Sequence, residues 1–206
     1  MTSARLLIIF IRNPVFGKIK TRLAGDVGDK MAYNIYNKLL SHTHKVAKYA
    51  ECHKVVYYSD NIDADDIWEG AVFSKAIQTG NGLGNRMENA FEKAFADKYR
   101  SVVIVGSDIF GLTTKLINMA FNKLESNDFV IGPAKDGGYY LLGMNRLNTR
   151  LFRNKNWSSE IVFKQTVNDL GNSDYFVLPE LSDLDILDDV GHLIDLNSLY
   201  KETIHK

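Results

Sequence analysis

The clearest pattern along the chain is a series of short apolar runs that end at turn residues. Residues 5–11 (RLLIIFI) and residues 101–105 (SVVIV) contain no alternating polar positions. Such runs are typical of strands that are buried on both faces of a parallel sheet. Further strands are predicted at residues 54–58, 71–77, 129–132, 139–144 and 175–178.

Apolar residues at helical spacing fill most of the stretches between these strands. The predicted helices comprise residues 29–50, a segment that begins near residue 83, and residues 113–124, 158–170 and 187–196. Strands that alternate with helices predict an α/β domain with a mostly parallel sheet. Residues 129–144 are the exception, because so short a turn separates their two strands that an antiparallel hairpin is predicted and the sheet is mixed.

Composition narrows the class of protein. The 206 residues are consistent with one domain over residues 1–206. The 25 basic and 25 acidic side chains balance, so we expect neither nucleic acid nor an anionic membrane as a partner. The single cysteine, Cys52, excludes a disulfide framework and is consistent with a reducing compartment. The apolar run at residues 6–11 is too short to span a membrane, which predicts a soluble, cytoplasmic protein.

A basic loop follows the first predicted strand, at residues 12–23 (RNPVFGKIKTRL). Lys18, Lys20 and Arg22 alternate with apolar or neutral residues, so an extended segment would present all three cations on one side. A strand, a glycine-containing basic loop and a helix commonly bind phosphate groups in that order. The loop matches neither the P-loop nor the dinucleotide-binding glycine motif. The alternative is a solvated basic surface loop.

Asp108 directly follows the buried strand at residues 101–105. The carboxyl ends of strands open into the ligand crevice of an α/β sheet, so this carboxylate is placed to hold a divalent cation. A turn residue or a helix cap explains Asp108 equally well from the local sequence. The segment at residues 78–87 (QTGNGLGNRM) permits close backbone approach to a ligand, or a flexible turn. Its Arg86 opposes the helix dipole, which favours a role in ligand binding.

Acidic residues occur at two other junctions. Lys135 and Asp136 lie at the tip of the predicted hairpin, near the same crevice. Asp183 and Asp185 stand two apart between the last strand and the last helix, where they bind a metal or cap the helix.

These segments together resemble one family. Residues 14–23 resemble the P-V-P-G-x-x-K-T-R-L signature of the glycosyltransferase-like, or radical-SAM/selenodomain-associated, transferases. Residues 80–87, 106–108, 132–143, 157–158 and 183–185 look like the later motifs of that family. Phe16 and Phe110 stand where the family has proline. The family belongs with the nucleotide-diphospho-sugar transferases of the GT-A type and is similar to the deazaflavin-cofactor guanylyltransferases.

The resemblance implies a three-layer α/β/α sandwich with a mixed, mostly parallel, Rossmann-like sheet. It also implies a nucleotide in the N-terminal half and Mg²⁺ or Mn²⁺ on Asp108, with Asp185 as the second ligand. Our hypothesis for the catalytic residues is Asp108, Asp136 and Lys20. The nucleotide-binding candidates are Asn13, Pro14, Gly17, Lys18, Lys20, Arg22, Gly80, Gly82, Gly84 and Arg86. The acceptor-binding candidates are Lys135, Asp136, Gly137, Gly138, Tyr139 and Trp157.

Three functions are consistent with this sequence. The first is glycosyl transfer from a nucleotide sugar to a small-molecule acceptor, with a metal stabilising the leaving diphosphate. The second is nucleotidyl transfer from a nucleoside triphosphate to a phosphorylated acceptor, which releases diphosphate. The third is nucleotide or partner binding without catalysis. The identities of the base, the sugar and the acceptor, and the oligomeric state, do not follow from the sequence.

Overall fold

The computed structural model describes residues 4–157 and 159–183. Their helices are α1 (Thr21–Val27), α2 (Asp29–Lys48), α3 (Gly82–Ala96), α4 (Thr114–Lys123) and α5 (Val162–Leu170), with a 3₁₀ turn at Thr149–Phe152. The strands are β1 (Arg5–Ile11), β2 (His53–Tyr58), β3 (Ser74–Ile77), β4 (Ser101–Gly106), β5 (Phe129–Pro133), β6 (Tyr139–Met144) and β7 (Tyr175–Val177).

All seven strands form one sheet, in the order β3-β2-β1-β4-β6-β5-β7. β1 pairs in parallel with β2 and with β4, and β5 pairs in parallel with β7. β6 pairs antiparallel with both of its neighbours, β4 and β5. The mixed, mostly parallel sheet and the β5–β6 hairpin therefore confirm the prediction.

Helices cover both faces of the sheet because the central strands are apolar on both sides. In β1, Leu7 and Ile9 join the core beneath α2 and α4. Ile8 and Phe10 point to the opposite face, where they join the core beneath α3, α5 and the 3₁₀ turn. The result is the three-layer α/β/α sandwich expected from the sequence. No helix of the described residues is both long and apolar enough to cross a membrane.

The basic loop does not have the extended form that would present its three cations on one side. The backbone N–H of Lys18 donates to the carbonyl of Val15 (3.0 Å), which closes a turn. Gly17 and Lys20 both have positive φ angles (73° and 47°), and α1 begins at Thr21. A left-handed residue followed by a helix cannot keep the alternation of a strand, so the three cations do not share one side.

Several boundaries also differ from the prediction. The strand predicted at residues 71–77 begins at Ser74, because Val72 and Phe73 both donate their N–H groups to the carbonyl of Glu69 in a turn. The helix predicted at residues 158–170 begins at Val162, after a turn in which Val162 N–H bonds to the Ser159 carbonyl. The helix predicted at residues 187–196 lies outside the described residues.

Candidate active site

Three adjoining cavities meet at the carboxyl ends of β1 and β4, and Asp108 lines all three. The polar cavity, about 620 Å³, opens between the loop after β1 and the start of α3. The basic cleft, about 240 Å³, lies beside α1. The aromatic cavity, about 290 Å³, lies toward the β5–β6 hairpin. A group bound at Asp108 is therefore accessible from three directions.

The two carboxylate oxygens of Asp108 have different surroundings. Oδ2 lies 3.2 Å from the Nζ atom of Lys20, whose side chain is only 5% exposed. Oδ1 is shielded from solvent and accepts no hydrogen bond from the described residues. An inward-facing carboxylate oxygen without a donor is costly unless another group binds it. The Lys20–Asp108 pair confirms that the basic loop and the end of β4 come together.

Tyr36 of α2 fixes the backbone of Arg12, the first residue after β1. Its hydroxyl donates to the Arg12 carbonyl (2.8 Å) and accepts from the Arg12 N–H (2.9 Å). The same hydroxyl lies 3.4 Å from Oγ of Ser107. Burial, with a contribution from the Asp108 carboxylate, raises the pKa of Tyr36 well above its ordinary value. Tyr36 therefore stays a neutral hydroxyl that ties the ends of β1 and β4 together.

The polar cavity contains the cations Arg12, Lys18 and Arg86. Gln78, directly after β3, positions one of them. Its Nε2 donates to the carbonyls of Ile11 (2.9 Å) and Tyr57 (3.0 Å), which bridges the ends of β1 and β2. Its Oε1 then accepts from Arg86 (3.4 Å). Because both amide hydrogens are used by the strands, the amide oxygen is held toward the guanidinium.

Asn13 is buried and has a structural role in the loop after β1. Its Nδ2 donates to the Asn61 carbonyl (2.7 Å), and its Oδ1 accepts from Oγ of Ser59 (3.2 Å) and from the N–H of Asp60 (3.0 Å). These bonds hold the loops after β1 and β2 at a fixed separation. Pro14 lines a different cavity beside Asn61, and Gly17 lines none of the three site cavities. Their contact with a nucleotide stays a prediction.

The three glycines near the start of α3 have different environments, with Gly80 before the helix and Gly82 and Gly84 in its first turn. Gly82 lines the polar cavity, with a φ angle of 80° and open space where a side chain would be. Gly80, with a φ angle of 122°, packs against Asn85 and Asn89. Gly84 faces the interior instead. A Cβ atom there would lie 2.4 Å from the Phe152 carbonyl oxygen, so Gly84 allows α3 to approach the end of the 3₁₀ turn.

Aromatic side chains form the walls of the aromatic cavity, which Asp136 and Asp183 also line. The rings of Tyr139 and Trp157 lie edge to face, with 6.4 Å between their centroids. Burial raises the pKa of Tyr139 well above its ordinary value, so its phenol stays neutral. Predominantly apolar walls with a few convergent polar groups are typical of small-molecule sites.

The hairpin tip presents Asp136 to this cavity through a tight turn. Oδ1 of Asp136 accepts from the N–H of Gly138 (2.8 Å), and the Gly137 carbonyl accepts from Phe163 N–H (2.8 Å). Gly137 has a φ angle of 85° and packs against the backbone of Glu160. Lys135 is exposed and does not line the three cavities, so its role in acceptor binding stays a prediction.

Comparison with a family model identifies the chain. A model described as "Uncharacterized protein conserved in bacteria (DUF2064)" matches residues 39–159, which is more than half of the chain. The chain belongs to the DUF2064 family. No curated protein matches it.

Solved structures resemble this DUF2064 protein over nearly its whole length. A "putative nucleotide-diphospho-sugar transferase" from Desulfovibrio desulfuricans G20 is 32% identical, with 98% of this chain and 88% of that chain covered and a TM-score of 0.84. A cytidylyltransferase from Leptospira borgpetersenii is 13% identical over 98% of this chain and 93% of that chain (TM-score 0.60). Rv0371C from Mycobacterium tuberculosis H37Rv, in complex with manganese, is 11% identical over 100% of both chains (TM-score 0.53).

The first of these structures supports a transferase, and the two distant ones support the fold alone. All three agree with the nucleotide-diphospho-sugar transferase fold expected from the sequence. The predicted family resemblance is confirmed.

The residues at Asp108 are compatible with a hard divalent cation. The described residues contain no cluster of three His, Cys, Asp or Glu side chains that would hold a metal by themselves. Mg²⁺ commonly needs only one or two carboxylates, because phosphate oxygens and water complete its shell. The shielded Oδ1 of Asp108 could serve as one such carboxylate ligand. Asp185, the second predicted ligand, lies outside the described residues.

Three residues that the sequence analysis did not assign line or brace the cavities: Arg12, Tyr36 and Gln78. Asp183, for which the sequence left a metal ligand or a helix cap open, lines the aromatic cavity. A signal existed for Gln78, which begins the glycine-containing segment, and for Asp183, which belongs to an acidic pair. No sequence signal marked Tyr36, because an aromatic residue at that position of α2 is equally typical of an ordinary core residue.

Proposed function

We propose that this DUF2064 protein transfers a glycosyl group from a nucleotide-diphospho-sugar, in a metal-dependent reaction, to a small-molecule acceptor. The observation that carries this proposal is the position of Asp108, at the junction of a polar cavity, a basic cleft and an aromatic cavity. A nucleotide sugar has three corresponding parts: a nucleoside, a diphosphate and a sugar. One carboxylate at the junction is then close to the diphosphate, next to the bond that breaks.

In this proposal the nucleoside occupies the polar cavity. Gly82 permits close approach of the ligand to the start of α3, and Arg86, held by Gln78, contacts the ribose or the phosphates. Lys18 lines the same cavity from the loop after β1. These cations neutralise phosphate charge. The hydrogen bonds of Asn13 hold the loops after β1 and β2 together, so the cavity is preorganised before the ligand binds.

The basic cleft stabilises the leaving group. When the bond between the anomeric carbon and the diphosphate oxygen breaks, negative charge grows on the diphosphate. Lys20 and Arg22 line the cleft beside Asp108 and interact with that charge. Asp136 lines the aromatic cavity and accepts the proton of the acceptor hydroxyl as its oxygen attacks the anomeric carbon.

Oδ1 of Asp108 would hold a divalent cation, which would supply Lewis-acid stabilisation of the negative charge that develops on the leaving diphosphate. We propose Mg²⁺ or Mn²⁺. The shielded, unbonded oxygen supports this assignment, and a protein of the same fold has been crystallised with manganese.

Nucleotidyl transfer is the second candidate. The basic cleft adjoins the polar cavity, and its volume of about 240 Å³ and its lining by Lys20 and Arg22 suit a released diphosphate. A cytidylyltransferase has the same fold. The two reactions differ in their products: a nucleoside diphosphate in the first and free inorganic diphosphate in the second.

The test is a thermal-shift panel of nucleoside triphosphates and nucleotide sugars, each with and without Mg²⁺ or Mn²⁺, followed by product analysis. A ligand at a hundred times its Kd stabilises the folded state by ~2.7 kcal/mol. For a chain of this size the melting temperature then rises by about 5–10 °C. We expect a metal-dependent shift with a nucleotide sugar, and a nucleoside diphosphate among the products.

Asp108→Asn should abolish the metal-dependent part of the shift. Asp97→Asn is the matched control, because Asp97 pairs with Lys93 on the surface, at the end of α3. Unchanged metal-dependent binding in Asp108→Asn would show the assignment to be wrong. Nucleotide binding without any product would favour the non-catalytic function.

A further inference from the structure

We propose that the aromatic cavity holds the sugar of the donor and selects sugars without negative charge, neutral or amino sugars, over sugars that carry a carboxylate. This inference rests on the proposed function, because it takes the nucleotide to occupy the polar cavity. It adds the substrate class, which the fold comparisons leave open.

The charges around Asp108 are strongly divided. The five cations that line the polar cavity and the basic cleft are Arg12, Lys18, Lys20, Arg22 and Arg86. Among the described residues that line the aromatic cavity there is no lysine or arginine, whereas three are aspartates: Asp108, Asp136 and Asp183. The polar cavity and the basic cleft together have five cations against the carboxylates of Asp60 and Asp108, whereas an anion in the aromatic cavity would meet aspartates and no cation of the described residues.

The size and walls of the aromatic cavity suit one ring. Its volume of about 290 Å³ is at the lower end of the range for small-molecule sites. Tyr139 and Trp157 offer aromatic surface to the C–H groups of a sugar, and Met87 and Phe10 add further apolar surface. Aspartate oxygens are acceptors only, so they pair with sugar hydroxyls or ammonium groups, which can donate.

Asp136 is the residue that sets the discrimination. Its hydrogen-bond donor is the neutral N–H group of Gly138, which leaves the negative charge of the carboxylate in place. A second carboxylate within several ångströms would be repelled by an amount that depends on how much water the cavity keeps. Asp183, on the segment after β7, lines the same cavity.

The test compares donor pairs that differ only in the sugar carboxylate: UDP-glucose with UDP-glucuronate, and GDP-mannose with GDP-mannuronate. Their Kd values are measured by calorimetry in Mg²⁺, with UDP and GDP as references. For whichever nucleotide binds, we expect the neutral sugar to bind at least ~10-fold more tightly than the uronate, a difference of about 1.4 kcal/mol. Raising the salt from about 0.1 M to about 0.5 M should narrow that ratio, because ions screen the repulsion.

Asp136→Asn should lower the ratio to about threefold or less, mainly by tighter uronate binding. Asparagine keeps the Oδ1 acceptor for Gly138, so the turn is preserved, and Asp183→Asn provides a second variant. Asp97→Asn, away from the cavity, should leave the ratio unchanged.

Equal affinities of neutral sugar and uronate in the unmodified protein would overturn the inference. So would a ratio that neither aspartate variant changes, or nucleotide sugars that bind no more tightly than UDP or GDP. In those cases metal-dependent nucleotide binding would still support the proposed function. If no nucleotide binds with metal, the proposed function fails, and this inference fails with it.

Discussion

The two sides of the site are held in place by different forces. Around the polar cavity, side-chain hydrogen bonds tie loops to strand ends: Tyr36 to Arg12, Gln78 to Ile11, and Asn13 to Asp60. Around the aromatic cavity, close packing does this work. Gly84 lies against the Phe152 carbonyl, and Gly137 lies against the backbone of Glu160.

The difference follows from the ligand that each side is proposed to bind. Cations that contact phosphates must be held in place without losing their charge, and neutral hydrogen-bonding residues do this. An aromatic cavity depends on the distances between its walls, and close packing sets those distances. We therefore expect loss of a hydrogen bond to weaken the first side moderately, and added volume to disrupt the second side strongly.

Gly137→Ala should have the largest effect. The added methyl group would lie 2.2 Å from the Glu160 carbonyl oxygen, and the φ angle of 85° is strained for alanine. We expect the free energy of unfolding to fall by ~3 kcal/mol or more, as measured by urea denaturation.

Gly25→Ala is the control for that variant. Gly25 lies in α1 with no atom within 4 Å of an added Cβ, so alanine should stabilise the helix by ~0.5–1 kcal/mol. If Gly137→Ala and Gly25→Ala changed the stability equally, the packing argument for the hairpin would be wrong.

Lys20→Gln tests the cationic side. It removes the charge that lies 3.2 Å from Oδ2 of Asp108 and lines the basic cleft. Charge-assisted hydrogen bonds contribute ~1.5–3 kcal/mol, so nucleoside diphosphates should bind to the variant about 10- to 100-fold more weakly than to the unmodified protein.

The metal dependence of nucleotide binding should survive in Lys20→Gln, in contrast to Asp108→Asn. Lys45→Gln, on the exposed part of α2, controls for the loss of one positive charge. Equal affinities of the Lys20 and Lys45 variants, as measured by calorimetry, would remove Lys20 from the site.

Tyr36→Phe should have the smallest effect of the three. It leaves the N–H and carbonyl of Arg12 without their hydroxyl partner, which costs ~1–2 kcal/mol in the free energy of unfolding. Nucleotide affinity should fall only a few-fold, since no charge is lost. Tyr49→Phe, at a side chain 72% exposed, should change neither quantity. If Tyr36→Phe lowered the free energy of unfolding as much as Gly137→Ala does, the proposed difference between the two sides would be wrong.

Much of the fold was predictable from local patterns. The runs at residues 5–11 and 139–144 have the observed strand bounds, and α2 begins at the predicted Asp29. Thr113 caps α4 through a bond from Leu116 N–H (3.2 Å), as expected of a threonine at that position. These features depend on residues close together in the chain, whose preferences act alike in most surroundings.

The errors arose where distant segments override local preference. The alternation of cations in the basic loop would place them on one side of an extended segment, yet Lys20 adopts a left-handed conformation and pairs with Asp108, 88 positions away. The glycines of residues 78–87 indicated close approach to a ligand or a flexible turn, but Gly84 lies in the first turn of α3 and is required by its contact with Phe152. No window of neighbouring residues contains such information.

The sequence by itself determined the apolar strands, the order of helices and strands along the chain and the antiparallel β5–β6 hairpin. It also determined which residue types are available for phosphate binding. Only the tertiary structure decided that Asp108 lines three cavities, and that five cations line two of them while no described cation lines the third. The physical reason is one of range. Strand and helix preferences act over a few neighbouring residues, whereas the charge pattern of a site depends on which strand ends the sheet brings side by side.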